Sequence, residues 1–193
     1  PGEDYVTYIA ADFVWEGEQA AKLLIEATGG NANIVELTGT QGSGCAKERY
    51  DGFRKGIKGH PGVKIIASQT ADFTRALGQK VMENIIQAKG DEITAVYAHN
   101  DERVLGAIQA LKAAGIVPGK DVMIVSIDAE NDGVQSVFDG EIYAIQECSP
   151  FFGPAAFDVI EKLERGETVP TRIVNYGRIV TQKNAHEFVG KQY

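Results

Sequence analysis

Cysteine is scarce in this chain of 193 residues. Cys45 and Cys148 fall in different predicted turns, without the short spacing of a metal site or the density of a disulfide framework, and read as buried free thiols. Histidine is equally thin. His60, His99 and His186 are isolated from one another, so neither a metal centre nor an imidazole-based catalytic set is indicated. No apolar run approaches the length of a membrane-spanning helix, and the opening residues PGEDYVTY lack the basic and apolar regions of a signal peptide, although one removed earlier would leave no trace. Basic residues are outnumbered, 19 Lys and Arg against 27 Asp and Glu, for a net charge of −8. With no basic cluster anywhere, a nucleic-acid surface is excluded, and the acidic balance chiefly favours solubility. Low-complexity linkers and internal sequence repeats are missing as well.

What the chain does have is rhythm. A hydrophobic content of 44% supports one good core, or a core plus a smaller lobe. The stretch AVYAHNDERVLGAIQAL, Ala95 to Leu111, shows the repeating unit: an apolar run, Ile93 to Ala98, a polar turn at His99, Asn100 and Asp101, then Val104, Leu105, Ile108 and Leu111 spaced for one helix face. The same unit recurs where Ile34–Leu37 runs into TGTQGSG, Val63–Ala67 into SQTADF, Val122–Ile127 into DAEND and Ile142–Ile145 into QECSP. Strands are further predicted at Tyr5–Ala11 and Arg172–Val180, and helices at Val14–Ala27, Ala46–Ile57, around Leu77–Ile85, at Val134–Phe138 and at Phe152–Leu163, with Asp12 and Thr74 as caps. This alternation predicts an α/β fold with a doubly wound, mainly parallel sheet, whose polar turns share the carboxyl edge where ligands bind.

The turns carry little covalent chemistry. TGTQGSG joins a strand to a helix, but its spacing matches neither a dinucleotide fingerprint nor a P-loop, and it reads as a flexible loop. Cys45 lies near a helix start with no histidine tied to it by spacing. No cofactor, no metal and no enzymatic activity are expected. What remains at the strand ends is an array of hydrogen-bonding groups: Arg49, Asp72, Phe73, Arg75, Asn100, Asp101, Asp128, Gln146 and Glu147. Guanidinium forks, carboxylates and an amide offer paired donors and acceptors for vicinal hydroxyls, and an aromatic face suits the apolar face of a sugar. A polyol fits this set better than an anion or a base.

Six stretches, YIAADFVWEGEQAA, IVELTGTQGSGCAKERYDGF, ASQTADFTRALGQKVMENII, VYAHNDERVLGAIQALKAAG, IVSIDAENDG and DGEIYAIQECSPFFGPAAFD, together span nearly the whole chain. In them the sequence resembles the periplasmic sugar-binding proteins of the ribose and galactofuranose type, relatives of the effector-binding core of LacI-type repressors, with the galactofuranose type most similar at SQTADFTR, YAHNDE and QECSPFFGPAAFD. The resemblance implies ligand-binding roles for Arg49, Phe73, Asn100, Asp128 and Glu147, and supporting roles for Asp12, Trp15, Asp72, Arg75 and Asp101. Two positions depart from the family pattern: Ala11 stands where a polar residue is frequent, and Glu147 where ribose binders carry an amide.

The family is built from two α/β lobes, and the first is made mainly of residues that precede the equivalent of Tyr5–Ala11. About a hundred residues of a lobe of ordinary size are therefore expected outside this chain. Residues 12–147 would be the second lobe, 148–175 a crossover helix and strand belonging to the first, and 176–193 a return across the hinge with a tail. The implied function is capture of a monosaccharide for an ABC-type importer, with a membrane permease as partner and a periplasmic, or lipid-anchored extracellular, location. The alternative is the effector core of a LacI-type transcriptional regulator. The apolar surface of the Phe152–Leu163 helix further predicts a homodimer, or exchange of this element, for the 193-residue chain.

Overall fold

In the computed structural model, which describes residues 4–193, strands and helices alternate as β1 (Tyr8–Ala10), α1 (Phe13–Thr28), β2 (Ala32–Thr38), α2 (Gly44–Ile57), β3 (Val63–Thr70) and α3 (Arg75–Lys89). They continue as β4 (Ala95–Ala98), α4 (Asp101–Ala113), β5 (Met123–Asp128), α5 (Asn131–Phe138), β6 (Ala144–Glu147), α6 (Gly153–Glu164), β7 (Arg172–Val174) and β8 (Ile179–Thr181). Caps follow side-chain chemistry: Ser43 accepts from the Ala46 amide at α2, Thr74 from Leu77 at α3 and Asn100 from Arg103 at α4. Gly29 and Gly30 take left-handed backbone angles and stop α1.

The chain forms two compact units. The larger comprises Phe13–Glu147 and Arg178–Tyr193 and holds a six-stranded sheet of order β3-β2-β4-β5-β6-β8. The strands β2 to β6 pair in parallel, and β8 closes the β6 edge antiparallel. Period-two alternation sorts the central strands. Val35, Leu37, Val96, Ala98, Ile124 and Ile145 join a buried cluster with Met82, Ile85, Val104, Ile108 and Leu111 of α3 and α4. Tyr97, between two of these positions, points to the opposite face, where its ring stacks on Phe53 of α2 with centroids 4.0 Å apart. From β2 the chain runs outward to β3 and then returns to β4, so the strand order reverses beside β2, and the open crevice of such a sheet lies at the carboxyl ends there.

The smaller unit holds the described residues up to Asp12 together with Cys148–Gly177, and consists of β1 and β7 paired in parallel and helix α6. Here the structure corrects the expectation of one strand from Arg172 to Val180. The chain leaves β7 at Val174, turns through Tyr176 and Gly177, and enters the other sheet as β8. Strand-forming residues on both sides of the break hide it from a propensity reading. The tail is part of the larger unit's core through Val180, Ala185 and Phe188.

Candidate functional site

Arg49 is the centre of the carboxyl edge. It lies on the second turn of α2, is almost wholly buried, and each of its nitrogens is engaged: Nε with Glu16 of α1 at 2.9 Å, Nη2 with Asp128 after β5 at 2.8 Å, and Nη1 with the carbonyl of His99 after β4. It thus ties together an adjacent helix and two strand ends. Small residues make this possible. A Cβ on Gly17 would fall 2.4 Å from the Arg49 carbonyl oxygen, and one on Gly52 would fall 2.1 Å from that of Val14, so α1 and α2 approach backbone to backbone. Burial pushes the Asp128 carboxyl up against the opposing pull of Arg49. Asp128 and Ala129 both have positive φ, 118° and 66°, which marks the turn after β5 as strained.

Arg103, on the first turn of α4, is fully buried beside this group. Its guanidinium carbon lies 4.4 Å from the centroid of the Phe73 ring, and Nη1 donates to the carbonyl of Asp72. Burial, with Arg49 nearby, lowers its pKa to about 10. Asn100, the α4 cap, accepts from the Arg103 amide at 3.2 Å. Phe73 is more than one-third exposed.

Beneath the β5–α5 turn, Asp101 is fully buried and accepts from the Glu130 amide at 2.7 Å, capping a helix whose own N-cap side chain makes no such bond. Burial, reinforced by Asp128, pushes its carboxyl well above the ordinary value, and burial beside Asp128 and Glu102 lifts Glu130 to about 7. Glu147 stands opposite Asp128 in the β5–β6 ladder. Its carboxylate accepts from Arg178 Nε at 3.2 Å and from Gln192 Nε2 at 3.0 Å; burial opposes ionisation, but these bonds outweigh it and lower the pKa. The neighbouring Gln146 is buried with its Oε1 unpartnered. The chain end closes over the same region: Tyr193 Oη donates to the Asp128 carbonyl at 3.2 Å.

The structure therefore brings Arg49, Asp128 and Asn100 to one edge, with Phe73 and Asp72 joined through Arg103, and Glu147 at the adjacent strand end. Arg75 binds Glu102 and Asp132 in a more exposed network. Trp15 lies half-buried on α1, and Asp12 belongs to the smaller unit, 3.9 Å from Arg172. Sequence reading missed Glu16, Arg103, His99 and Glu36. His99 is buried 3.4 Å from Glu36, which also binds Arg54 and Ser68. Only the adjacency of His99 and Arg103 to the HND turn could have drawn attention to them; the ion partner of Arg49 lies 33 positions upstream on another helix. Cys45 and Cys148 are half-buried rather than buried, and burial raises the Cys45 thiol. Among the described residues no cluster of His, Cys, Asp and Glu has the makings of a metal site, and no helix is long and apolar enough to cross a membrane.

A doubly wound sheet with buried charge and an exposed aromatic at its carboxyl edge defines the class of open α/β folds that hold small ligands at the strand ends. Within that class the chain belongs to the periplasmic binding protein domain family, which matches residues 1–168. It is 44% identical over 172 residues to the galactofuranose-binding protein YtfQ of Escherichia coli (strain K12), covering 88% of this chain and 54% of that protein. It is 37% identical to the ribose import binding protein RbsB of Haemophilus influenzae, covering 87% and 56% of the respective chains. Among solved structures, the periplasmic binding component of the arabinose ABC transporter from Shewanella sp. ANA-3, bound to α- and β-L-arabinofuranose, matches with a TM-score of 0.88 at 42% identity, over 95% of this chain and 61% of that one. A galactofuranose binding protein matches with a TM-score of 0.89 at 40% identity, over 97% and 65%. The chain spans about half the length of the curated relatives it matches. These relatives are binding proteins and none is named as a regulator.

Proposed function

We propose that this protein, at its full encoded length, is the solute-binding component of an ABC-type sugar importer and that it binds a monosaccharide, with a furanose favoured. One observation carries the reading: the buried Arg49–Asp128 pair sits at the carboxyl edge with Asn100 beside it and Phe73 exposed, offering polar groups for hydroxyls and a ring for a sugar face. The sugars named for its relatives, galactofuranose, arabinofuranose and ribose, define the class. Such a protein works outside the cytoplasm, delivers its sugar to a membrane permease and returns it chemically unchanged. Residues 12–147 supply one wall of the cleft, and 148–175 belong with the other lobe.

The test is calorimetric titration of the full-length protein with L-arabinose, D-galactose and D-ribose. Saturable binding of at least one of them, lost on Asn100→Ala while the variant is still folded at the titration temperature, is expected. Absence of binding to all of them, or binding indifferent to Asn100 and Phe73, overturns the reading.

A further inference from the structure

Arg103 is a costly side chain in this fold. It is fully buried, its Nε and Nη2 have no hydrogen-bond partner, and no ion pair among the described residues includes it. A buried cation with idle donors destabilises a protein unless something offsets it, and an unbranched apolar chain of similar length would fill the same space without that cost. Both attachments that Arg103 does make lead to one turn. Its Nη1 holds the Asp72 carbonyl, and its guanidinium carbon lies over the Phe73 ring. The turn itself is strained, since Asp72 takes a φ of 45°, in the left-handed region. Gly39 keeps the space beside both side chains tight: a Cβ there would fall 2.6 Å from Phe73 Cζ, 2.8 Å from Ala46 Cβ and 3.1 Å from Arg103 Nη1. Phe73 is thus held by Arg103 and hemmed in at Gly39 while more than one-third of it stays exposed.

We infer that Arg103 is a positioning residue for the sugar site, which sets the plane of the Phe73 ring through its stack on that ring and its bond to the Asp72 carbonyl, and so selects which sugar face the site accepts. The inference rests on the sugar-binding reading and deepens it. The ring fixed by Arg103 recognises a sugar through an apolar C–H face, so specificity at this wall is one of shape and ring plane rather than of hydroxyl count. Stability is given up at position 103 for that orientation. The lowered guanidinium pKa, caused first by burial and then by Arg49, is the electrostatic sign of the same cost.

The test uses the full-length protein as wild type, Arg103→Met, Arg103→Lys, Phe73→Leu and the Met/Leu double variant. Each is titrated with L-arabinose, D-galactose and D-ribose and melted in parallel. Arg103→Met is expected to weaken binding about tenfold, the loss of a desolvated cation–aromatic contact, while its melting temperature stays level or rises. Arg103→Lys should recover part of the affinity, and the double variant should bind no worse than Phe73→Leu alone. Unchanged affinity in Arg103→Met overturns the inference. So does a fall in affinity that comes with a matching fall in melting temperature, which makes Arg103 a packing residue. Losses that add in the double variant overturn the route through Phe73. A wild type that binds none of the sugars removes the sugar-binding reading and this inference with it, whereas a binding wild type with an equally binding Arg103→Met removes this inference alone.

Discussion

Among single residues, Arg49 and His99 do the most to join the elements of the larger unit, and both lead to sharp expectations. Arg49, expected from the sequence to act on the ligand, also holds the fold through Glu16, Asp128 and the His99 carbonyl. Arg49→Ala leaves buried carboxylates uncompensated and should cost about 3–5 kcal/mol of folding stability, read as a lower midpoint in urea, so that lost sugar binding in this variant reports unfolding first. His99 is buried and neutral, its pKa lowered by burial from 6.5 to about 4 despite the help of Glu36. Glu36 is lowered from 4.5 to about 2: burial raises it, but hydrogen bonds from His99, Arg54 and Ser68 outweigh that. The signs agree. Between pH 6.5 and about 4 the unfolded histidine binds a proton that the folded one refuses, and between pH 4.5 and about 2 the unfolded Glu36 does the same. The stability contributed by this pair should fall with falling pH across both windows, while Glu130, lifted from 4.5 to about 7, acts with the opposite sign between those values. His99→Gln should remove the histidine's share of the upper window, so that wild type and variant differ there by a slope approaching about 1.4 kcal/mol per pH unit in thermal melts from pH 7 to pH 4.

At the scale of elements, two helix pairs rest on glycine. Gly17 and Gly52 let α1 and α2 meet, while Gly78 and Gly106 do the same for α3 and α4, where a Cβ on Gly106 would fall 2.1 Å from the Arg75 carbonyl oxygen. Gly52→Ala and Gly106→Ala should each destabilise the protein by about 1–3 kcal/mol or more, since the obstruction is backbone and cannot step aside; denaturant titration with an unchanged m-value would confirm it. The strand–helix alternation behind these pairs was legible in the sequence because each strand is a short apolar run and each helix shows its own period, as at Val96–Ala98 followed by Val104, Ile108 and Leu111. The split between β7 and β8 was not, because Ile173, Val174, Ile179 and Val180 share one propensity and only long-range pairing separates them. At the site, residues next to turns could be found by position. Glu16 and Arg103 could not, since on a helix they look like any charged residue until the partner helix or loop is in place.

For the molecule as a whole, exposure is uneven. In the smaller unit α6 buries Val159 but leaves Phe157 68%, Ile160 49% and Leu163 40% exposed. The 193-residue chain should therefore self-associate at micromolar concentration, and the Phe157→Asp, Ile160→Asp variant should run as a monomer in light scattering with its larger unit still folded. A wild-type monomer would show that this face is not sticky in water. The larger unit carries a different kind of exposure in time. Its sheet is closed on the β6 side by β8, which comes after the other five strands of this sheet in the sequence and pairs antiparallel through Ile179, Val180 and Thr181. During synthesis, every strand of the parallel run leaves the ribosome before this one, and the hydrogen-bonding edge of β6 stands open until it arrives. Residues 178–193 thus act as a seam sewn after the rest of the sheet: a chain without them would carry nearly the whole sheet and an unguarded edge, the state from which strands pair with the wrong neighbour.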